Sequence, residues 1–231
     1  MTGVSERSQQ RGNLKEDGYN IFSEEMMDNV LKYGDTVTIL NSYKNWSGGY
    51  LSVFGNGNKP GTKYGVVTVD ASLAIYGGAW RIESATGKSV GSEIINNDII
   101  LLHNLYYCDG GYLRYYDVVD QNEQLTEIHQ VYTSDIRKRA TLEWAIYCET
   151  TPPNENIREG DSISLYNRWG NKGFLDTHNH AGDTGSLYQV FMSNNAARKS
   201  HTGLWKMAKV NDPCPPPDVL TNIMPLWRKM R

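Results

Sequence analysis

A seven-residue pattern recurs three times along this chain of 231 residues. Each copy begins with an aspartate, ends with an asparagine and holds mainly apolar or β-branched residues between them. The aspartates Asp35, Asp98 and Asp161 are separated by a constant 63 positions, and the copies end at Asn41, Asn104 and Asn167. Because an internal repeat sets the size of the folding unit, this repeat constrains the fold more than any other feature of the sequence.

Two further landmarks follow each copy in the same order. A glycine–aromatic–leucine triplet comes first, and a tryptophan closes the unit 44 to 46 positions after its aspartate. The triplets begin at Gly49, Gly111 and Gly173, and the tryptophans are Trp80, Trp144 and Trp205. Four landmarks in one order, three times over, indicate three copies of one supersecondary unit.

Each unit is predicted to hold four strands. The segments between aspartate and asparagine alternate apolar and polar residues, or are continuously apolar at residues 99–102, and both patterns favour strands. The triplet begins the second strand after a short polar loop that contains glycine. Third strands are predicted at residues 66–69, 128–133 and 188–192, and fourth strands, which carry the tryptophans, at 79–83, 142–147 and 204–207.

Three such units are expected to form one closed body. A single unit cannot bury its own apolar face, so its neighbours must supply the core. Closure also removes free sheet edges. The sequence therefore predicts an all-β domain of twelve strands with pseudo-threefold symmetry.

This pattern resembles the β-trefoil superfamily, the architecture shared by ricin-B-type lectins, MIR domains and fascin. The Gly-Tyr-Leu triplet followed by a tryptophan strand is similar to the units of MIR domains and fascin. The chain as a whole is most similar to small bacterial lectin-like trefoil proteins. The resemblance covers residues 34–210 and implies a β-trefoil with three four-stranded repeats and terminal extensions.

One departure limits what the resemblance implies about ligands. Ricin-B repeats end in Gln-x-Trp, whereas Gly78, Leu142 and Gly203 stand two positions before the tryptophans here. The sugar-anchoring signature of that family is therefore missing, and galactose binding is not transferred to this chain.

Aromatic residues follow the repeated asparagines at a fixed distance. Tyr43, Tyr106 and Trp169 each stand two positions after an asparagine, and Trp46 follows nearby. Such rings can stack on the C–H face of a pyranose, while asparagine and aspartate side chains hydrogen-bond its hydroxyl groups. In the alternative interpretation the rings pack between hairpins, and the asparagines cap their own turns.

The third unit is predicted to carry the best ligand site. Asp176 follows its Gly-Phe-Leu triplet, where the other units have Ser52 and Arg114, and the aspartate form is the common one in the trefoil lectins that the chain resembles. We therefore predict a carbohydrate site formed by residues of this unit and their counterparts in the first two: Asn167, Trp169, Asn171, Asp176, Tyr43, Trp46 and Tyr106.

Other chemistries have less support. Asp176, His178 and His180 have the side-chain types of a zinc site, but residues 179–185 indicate a turn that would break their alternation, so neither a metal nor a cofactor is predicted. No motif of a zinc protease, serine hydrolase, P-loop or dinucleotide site occurs, so no enzyme activity is predicted. The net charge of −3 disfavours nucleic acid as a partner.

The chain divides into three predicted segments. Residues 1–33 form a polar N-terminal arm with a short helix that Ser23 caps, and residues 34–210 form the β-trefoil domain. Residues 211–231 form a proline-rich spacer and an apolar, basic tail. No signal peptide and no membrane-spanning run is visible, which predicts a cytoplasmic protein or one exported without a cleaved signal.

Two functions remain open. The first is a non-catalytic, lectin-like module whose partner is a glycan or glycoconjugate. The second is a structural or interaction subunit, in which the trefoil is a scaffold and the terminal arms attach it to a larger assembly, with the tail binding a protein partner or a second copy. Cys108, Cys148 and Cys214 have no CxxC spacing, and reduced thiols are predicted for them.

Overall fold

The computed structural model describes residues 29–116, 128–136, 139–152, 155–169, 173–182, 185–193 and 202–214. Most of the predicted N-terminal helix and the tail from residue 215 onward lie outside these ranges.

Strands dominate the described residues, which contain twelve of them. They are β1 (Thr36–Asn41), β2 (Tyr50–Asn56), β3 (Tyr64–Val69), β4 (Trp80–Ser84), β5 (Ile99–Asn104), β6 (Gly111–Tyr116), β7 (Ile128–Ser134), β8 (Trp144–Cys148), β9 (Ile163–Asn167), β10 (Gly173–His180), β11 (Ser186–Ser193) and β12 (Trp205–Lys209). Each predicted third and fourth strand overlaps an observed one.

Helical segments among the described residues are short. They comprise α1 (Tyr43–Trp46), α2 (Ala71–Gly77) and two 3₁₀ turns, at Tyr106–Cys108 and Arg139–Thr141. The helix α2, between β3 and β4, was not predicted from the sequence. No helix in the described ranges is long and apolar enough to span a membrane.

The strands pair antiparallel in one sheet that closes on itself. Along the strand order β10-β11-β3-β2-β1-β12-β9-β8-β5-β6-β7, the two ends are joined back to the sheet because β10 also pairs with β9, and β7 also pairs with β11 and β3. The result is a barrel-like, all-β fold. Its alternating strand residues point inward, as the burial of every second residue of β9 shows.

A triangle of backbone hydrogen bonds closes one end of the barrel. Leu31 N–H donates to Ile157 C=O at 2.8 Å, Ile157 N–H to Ile94 C=O at 2.8 Å, and Ile94 N–H to Leu31 C=O at 2.9 Å. All three side chains are fully buried. Since the three residues are spaced by 63 positions, the triangle extends the sequence repeat upstream of its aspartates.

This triangle corrects the predicted boundary of the N-terminal arm. Leu31 and Tyr33 lie in the main core with 0% and 2% of their surface exposed, so residues 29–33 belong to the barrel and not to the arm. The predicted boundary lay at residue 34 because the repeated pattern begins at Asp35. The apolar residues before that aspartate supply the bottom of the core.

The repeated aspartates stabilise the turns that follow this triangle. Each carboxylate accepts the backbone N–H of the residue three positions earlier, which closes the turn between the two residues. The bonds join Lys32 N to Asp35 Oδ2 at 2.8 Å, Ile95 N to Asp98 Oδ2 at 3.1 Å, and Arg158 N to Asp161 Oδ2 at 2.8 Å.

The repeated tryptophans form the centre of the core. Trp80, Trp144 and Trp205 are each 0% exposed. Their indole N–H groups donate to the leucine carbonyls of the glycine–aromatic–leucine triplets, to Leu51 at 2.9 Å, Leu113 at 3.1 Å and Leu175 at 2.9 Å. The last two landmarks of each unit therefore meet in one buried hydrogen bond.

Candidate functional site

The repeated asparagines anchor the three loops that carry the predicted aromatic residues. All three are 0% exposed. Each Oδ1 accepts the backbone N–H of the aromatic residue two positions later: Tyr43 at 3.1 Å, Tyr106 at 2.9 Å and Trp169 at 3.0 Å. Each amide nitrogen donates to the segment that leads into a tryptophan strand, to Thr202 O at 2.8 Å, Gly77 O at 2.8 Å and Thr141 O at 3.3 Å.

This arrangement also explains the glycines of the first two loops. A β-carbon at Gly48 would collide with Asn41 Oδ1, and one at Gly110 would collide with Asn104 Oδ1. The loop therefore closes over a buried amide, and only a residue without a side chain fits beside it.

Burial excludes direct ligand contact for two members of the predicted site. Asn167 is fully buried, and Asp176, on β10, is 1% exposed and accepts the Thr177 N–H at 2.6 Å. Asn167 supports the loop of the third unit from inside the barrel, whereas Asp176 bonds to the backbone of its own strand. Asn171 lies outside the described residues.

The aromatic residues of the first loop are partly buried and engaged with neighbours. The Tyr43 ring meets the Tyr188 ring edge-on at 4.9 Å between centroids. The Lys206 ammonium lies 4.0 Å from the centroid of the Trp46 ring, a distance typical of a cation–π contact. These contacts agree with the packing interpretation of this loop.

Trp169 is the most exposed ring among the described members of the predicted site, at 57%. It borders a hollow of about 100 Å³ together with Ile99, Ala140, Glu143 and Arg168. Its carbonyl accepts the Tyr115 hydroxyl at 3.1 Å, so the backbone beneath the ring is fixed. The hollow is small, but it offers an indole ring beside charged groups.

A larger cleft of about 320 Å³ lies where β2, β3, α2 and the turn after β5 meet. Four aromatic side chains line it: Phe54, Tyr64, Tyr76 and Tyr106. Ser52 and Asn56 add polar groups to the wall. Of these residues, the sequence analysis placed only Tyr106 in the ligand site.

The helix α2 forms one wall of this cleft, because one of its faces packs on the barrel and the other is exposed. Ala74 is buried in a small cluster with Val67 and Val69, and Leu73 packs against the same cluster. Tyr76 is 67% exposed and forms part of the cleft wall. Gly77 lies so close to β2 that a β-carbon there would come within 2.9 Å of the Ser52 hydroxyl oxygen.

The opposite wall is a set of tyrosines held at fixed angles. The Tyr64 and Tyr106 rings meet at 90° with centroids 5.3 Å apart, and the Tyr106 and Tyr107 rings are 4.3 Å apart at 55°. Tyr107 is 56% exposed and has a positive φ of 48°, a left-handed conformation that costs energy in residues other than glycine. Tyr106 is therefore held between the partly buried ring of Tyr64 and the exposed ring of Tyr107.

Charged groups fix the far side of the same turn. Lys63 Nζ forms ion pairs with Asp109 at 2.9 Å and with Asp135 at 3.0 Å. The hydrogen bond from Lys63 holds the pKa of Asp109 below its usual value. These pairs tie the turn at Tyr106–Cys108 to the segment before β3 and to the end of β7.

The repeat did not indicate Phe54, Tyr64 and Tyr76, because these aromatic residues do not recur at equivalent positions in all three units. Their signal in the sequence is the density of rings between residues 50 and 76, where one unit carries four tyrosine and phenylalanine residues.

The geometry around β10 does not assemble a metal site in the described part of the chain. His178 packs against Phe191 at 5.4 Å, and His180 packs against Tyr188 at 5.0 Å. Within the described ranges, no three His, Cys, Asp or Glu side chains are grouped closely enough to hold a metal ion.

Comparison with known proteins shows the fold alone. The sequence matches no protein-family model and no curated protein. The structure is similar to a Caenorhabditis elegans protein of unknown function, with a TM-score of 0.60, 16% identity, and coverage of 79% of this chain and 98% of that one. It is also similar to the SDF2-like protein of Arabidopsis thaliana, with a TM-score of 0.56, 13% identity, and coverage of 78% and 94%.

A third similar structure is the botulinum neurotoxin serotype D binding domain. The TM-score is 0.54 at 16% identity, and the match covers 81% of this chain but 46% of the toxin domain. These structures share the barrel-like all-β architecture with this protein. At such identities they carry no residue-level assignment.

Proposed function

We propose that this protein is a β-trefoil binding module without catalytic activity that recognises a carbohydrate in the aromatic cleft. Three four-stranded units are supported by the hydrogen bonds that recur at equivalent positions, namely the triangle at the base, the aspartate turns and the indole bonds to leucine carbonyls. The observation that carries the function is the cleft itself, with its rings and its few polar groups.

The chemistry of the cleft suits a sugar better than a purely apolar ligand. Tyrosine rings offer flat apolar faces to the C–H groups of a pyranose and hydroxyl groups at their edges. Asn56 is exposed at the wall and has both a donor and an acceptor for sugar hydroxyls. A volume of about 320 Å³ is in the range of small-molecule sites.

The comparisons support a binding role in general terms. One similar structure is a toxin binding domain. Another is the yeast protein O-mannosyltransferase Pmt1-Pmt2 complex bound to the sugar donor, in which the match covers 28% of that chain. Neither identifies the ligand of this protein, so the proposal depends on the cleft.

The test is glycan binding by two single variants, Tyr76→Ala and Trp169→Ala. Tyr76→Ala should weaken binding roughly tenfold, because loss of one ring contact is worth about 1 kcal/mol or somewhat more. Trp169→Ala should leave binding unchanged. A glycan array followed by titration of the best ligand measures both effects.

The two rings are matched in exposure, at 67% and 57%, so neither variant should change the thermal midpoint by much. Loss of binding in Trp169→Ala but not in Tyr76→Ala would move the site to the third unit, as the sequence analysis predicted. Absence of any glycan ligand for the folded wild-type protein would reject the proposal.

The exposed face of α2 favours a second candidate function, that of an interaction subunit. Ile75 is 71% exposed next to Tyr76, and large apolar side chains that lie together at a surface often mark a partner. The proline-rich spacer and apolar, basic tail predicted at residues 211–231 are the other proposed attachment point.

The interaction function predicts that oligomeric state or complex formation depends on these surfaces. Under this function, the full chain should elute as an oligomer or complex, and Ile75→Glu or truncation after residue 214 should release a monomer. Size-exclusion chromatography with light scattering measures the mass. If the full chain is a monomer, and neither Ile75→Glu nor the truncation changes the complexes that it forms, carbohydrate binding remains the only candidate.

A further inference from the structure

Two cysteines that are 106 positions apart in the sequence meet at one turn. The Leu105 carbonyl accepts the Cys108 N–H at 2.9 Å, and the Cys214 thiol contacts the same oxygen at 3.7 Å. Both side chains are partly exposed, and both are free thiols. Burial, followed by a hydrogen bond with the Cys108 thiol, raises the pKa of the Cys214 thiol to about 12.

The segment that carries Cys214 is held in place independently of its thiol. Asp212 forms an ion pair with Arg81 on β4, and its other carboxylate oxygen accepts the Cys214 N–H at 2.9 Å. Val210 N–H donates to Thr36 C=O at 2.9 Å. Pro213 adds a fixed φ between the two anchored residues. The two thiols therefore meet because the backbone places them together.

We propose that Cys108 and Cys214 are a redox-modification site, at which a reversible disulfide fastens residues 212–214 to the turn at Tyr106–Cys108. The third cysteine, Cys148, has no part in it. It is 3% exposed on β8, and its thiol lies 3.2 Å from the Thr150 hydroxyl.

The oxidant required is a small-molecule disulfide, and the exchange runs in two steps. The Cys108 thiolate attacks one sulfur of the disulfide, which forms a mixed disulfide and releases the first small thiol. Cys214 then gives up its proton and attacks the Cys108 sulfur, which releases the second. Two protein thiols are oxidised to one disulfide, and one small disulfide is reduced to two thiols.

Cys108 is the first nucleophile because Cys214 stays protonated at neutral pH. The second step is intramolecular, so the mixed disulfide should be short-lived. The disulfide between Cys108 and Cys214 would close a long loop in the unfolded chain. It would fix the position of residue 214, after which the C-terminal tail continues. It would also restrain the turn that carries Tyr106, although the disulfide itself does not depend on the proposed carbohydrate function.

The test is thiol counting on the folded, full-length protein after incubation with glutathione disulfide. Acid quenching, denaturation and alkylation should label three cysteines in the untreated protein and only Cys148 in the oxidised protein. Peptide mapping without reductant should give one cross-linked peptide pair, Cys108 with Cys214. The thermal midpoint of the oxidised form should rise by roughly 5–15 °C, and a thiol reductant should restore the original value.

Single variants separate the pair from nonspecific oxidation. After oxidation, Cys148→Ala should have no cysteine left that can be alkylated, because its two remaining thiols form the disulfide. Cys214→Ser should instead accumulate the mixed disulfide between Cys108 and glutathione. Stable glutathione adducts on both Cys108 and Cys214 of the wild type, dimers linked between chains, or three alkylated thiols after prolonged incubation would each overturn the proposal.

Discussion

Replacing Trp144 by alanine should lower the free energy of unfolding by about 3–5 kcal/mol. The indole is completely buried in the main core, and its N–H donates to Leu113 C=O at 3.1 Å. Removal of the ring loses apolar burial, leaves a cavity between units and orphans a buried carbonyl. Urea denaturation followed by tyrosine and tryptophan fluorescence measures the change. For a protein of ordinary stability, the loss would be a large part of the total.

The matched control is Trp169→Ala, which removes the same side chain from an exposed position. Its cost should stay within about 0.5 kcal/mol, because a surface ring adds little to the core. Trp144→Phe keeps most of the volume and should fall between the two, since it loses chiefly the hydrogen bond. If Trp144→Ala and Trp169→Ala had equal effects, the indole would not be central to the core.

The repeat predicted the framework of this fold because its landmark residues form the buried hydrogen bonds of the core. The tryptophans, the leucines of the triplets and the asparagines form buried hydrogen bonds at equivalent places, so they recur in sequence at nearly constant spacing. The base of the barrel was harder to predict. Leu31, Ile94 and Ile157 recur at the same spacing, but their role depends on backbone hydrogen bonds that leave no side-chain signal in the sequence.

The proposed carbohydrate site could not be predicted in the same way, because most of its aromatic residues do not recur in all three units. Tyr76 lies on a helix that only the first unit has among the described residues, and Tyr64 meets Tyr106 across two units. Asp176 illustrates the opposite case. Its resemblance to a lectin position made it a ligand candidate, but its side chain is turned inward at 1% exposure. The contact between Cys108 and Cys214 could not be predicted from sequence spacing either, because the two residues are 106 positions apart.

The second large effect is expected from Asn104→Leu, which keeps the approximate shape of the side chain and removes its polar atoms. The fully buried Asn104 side chain accepts the Tyr106 N–H at 2.9 Å and donates to Gly77 C=O at 2.8 Å. Leucine would leave a donor and an acceptor unpaired, at about 1–3 kcal/mol for each group. We expect a total loss of about 2–4 kcal/mol in the free energy of unfolding, measured by urea denaturation.

The equivalent change Asn167→Leu should cost less, because its amide donates to Thr141 C=O at the longer distance of 3.3 Å. Asn211→Leu, at an exposed position, is the control for the substitution itself and should have almost no effect.

Asn104→Leu should also weaken glycan binding more than Asn167→Leu does, because Asn104 positions Tyr106 in the cleft while Asn167 positions Trp169. An equal loss of stability in all three variants would show that the repeated asparagines do not hold the loops. If Asn104→Leu and Asn167→Leu remain folded and lose glycan binding equally, the position of Tyr106 does not determine binding in the cleft.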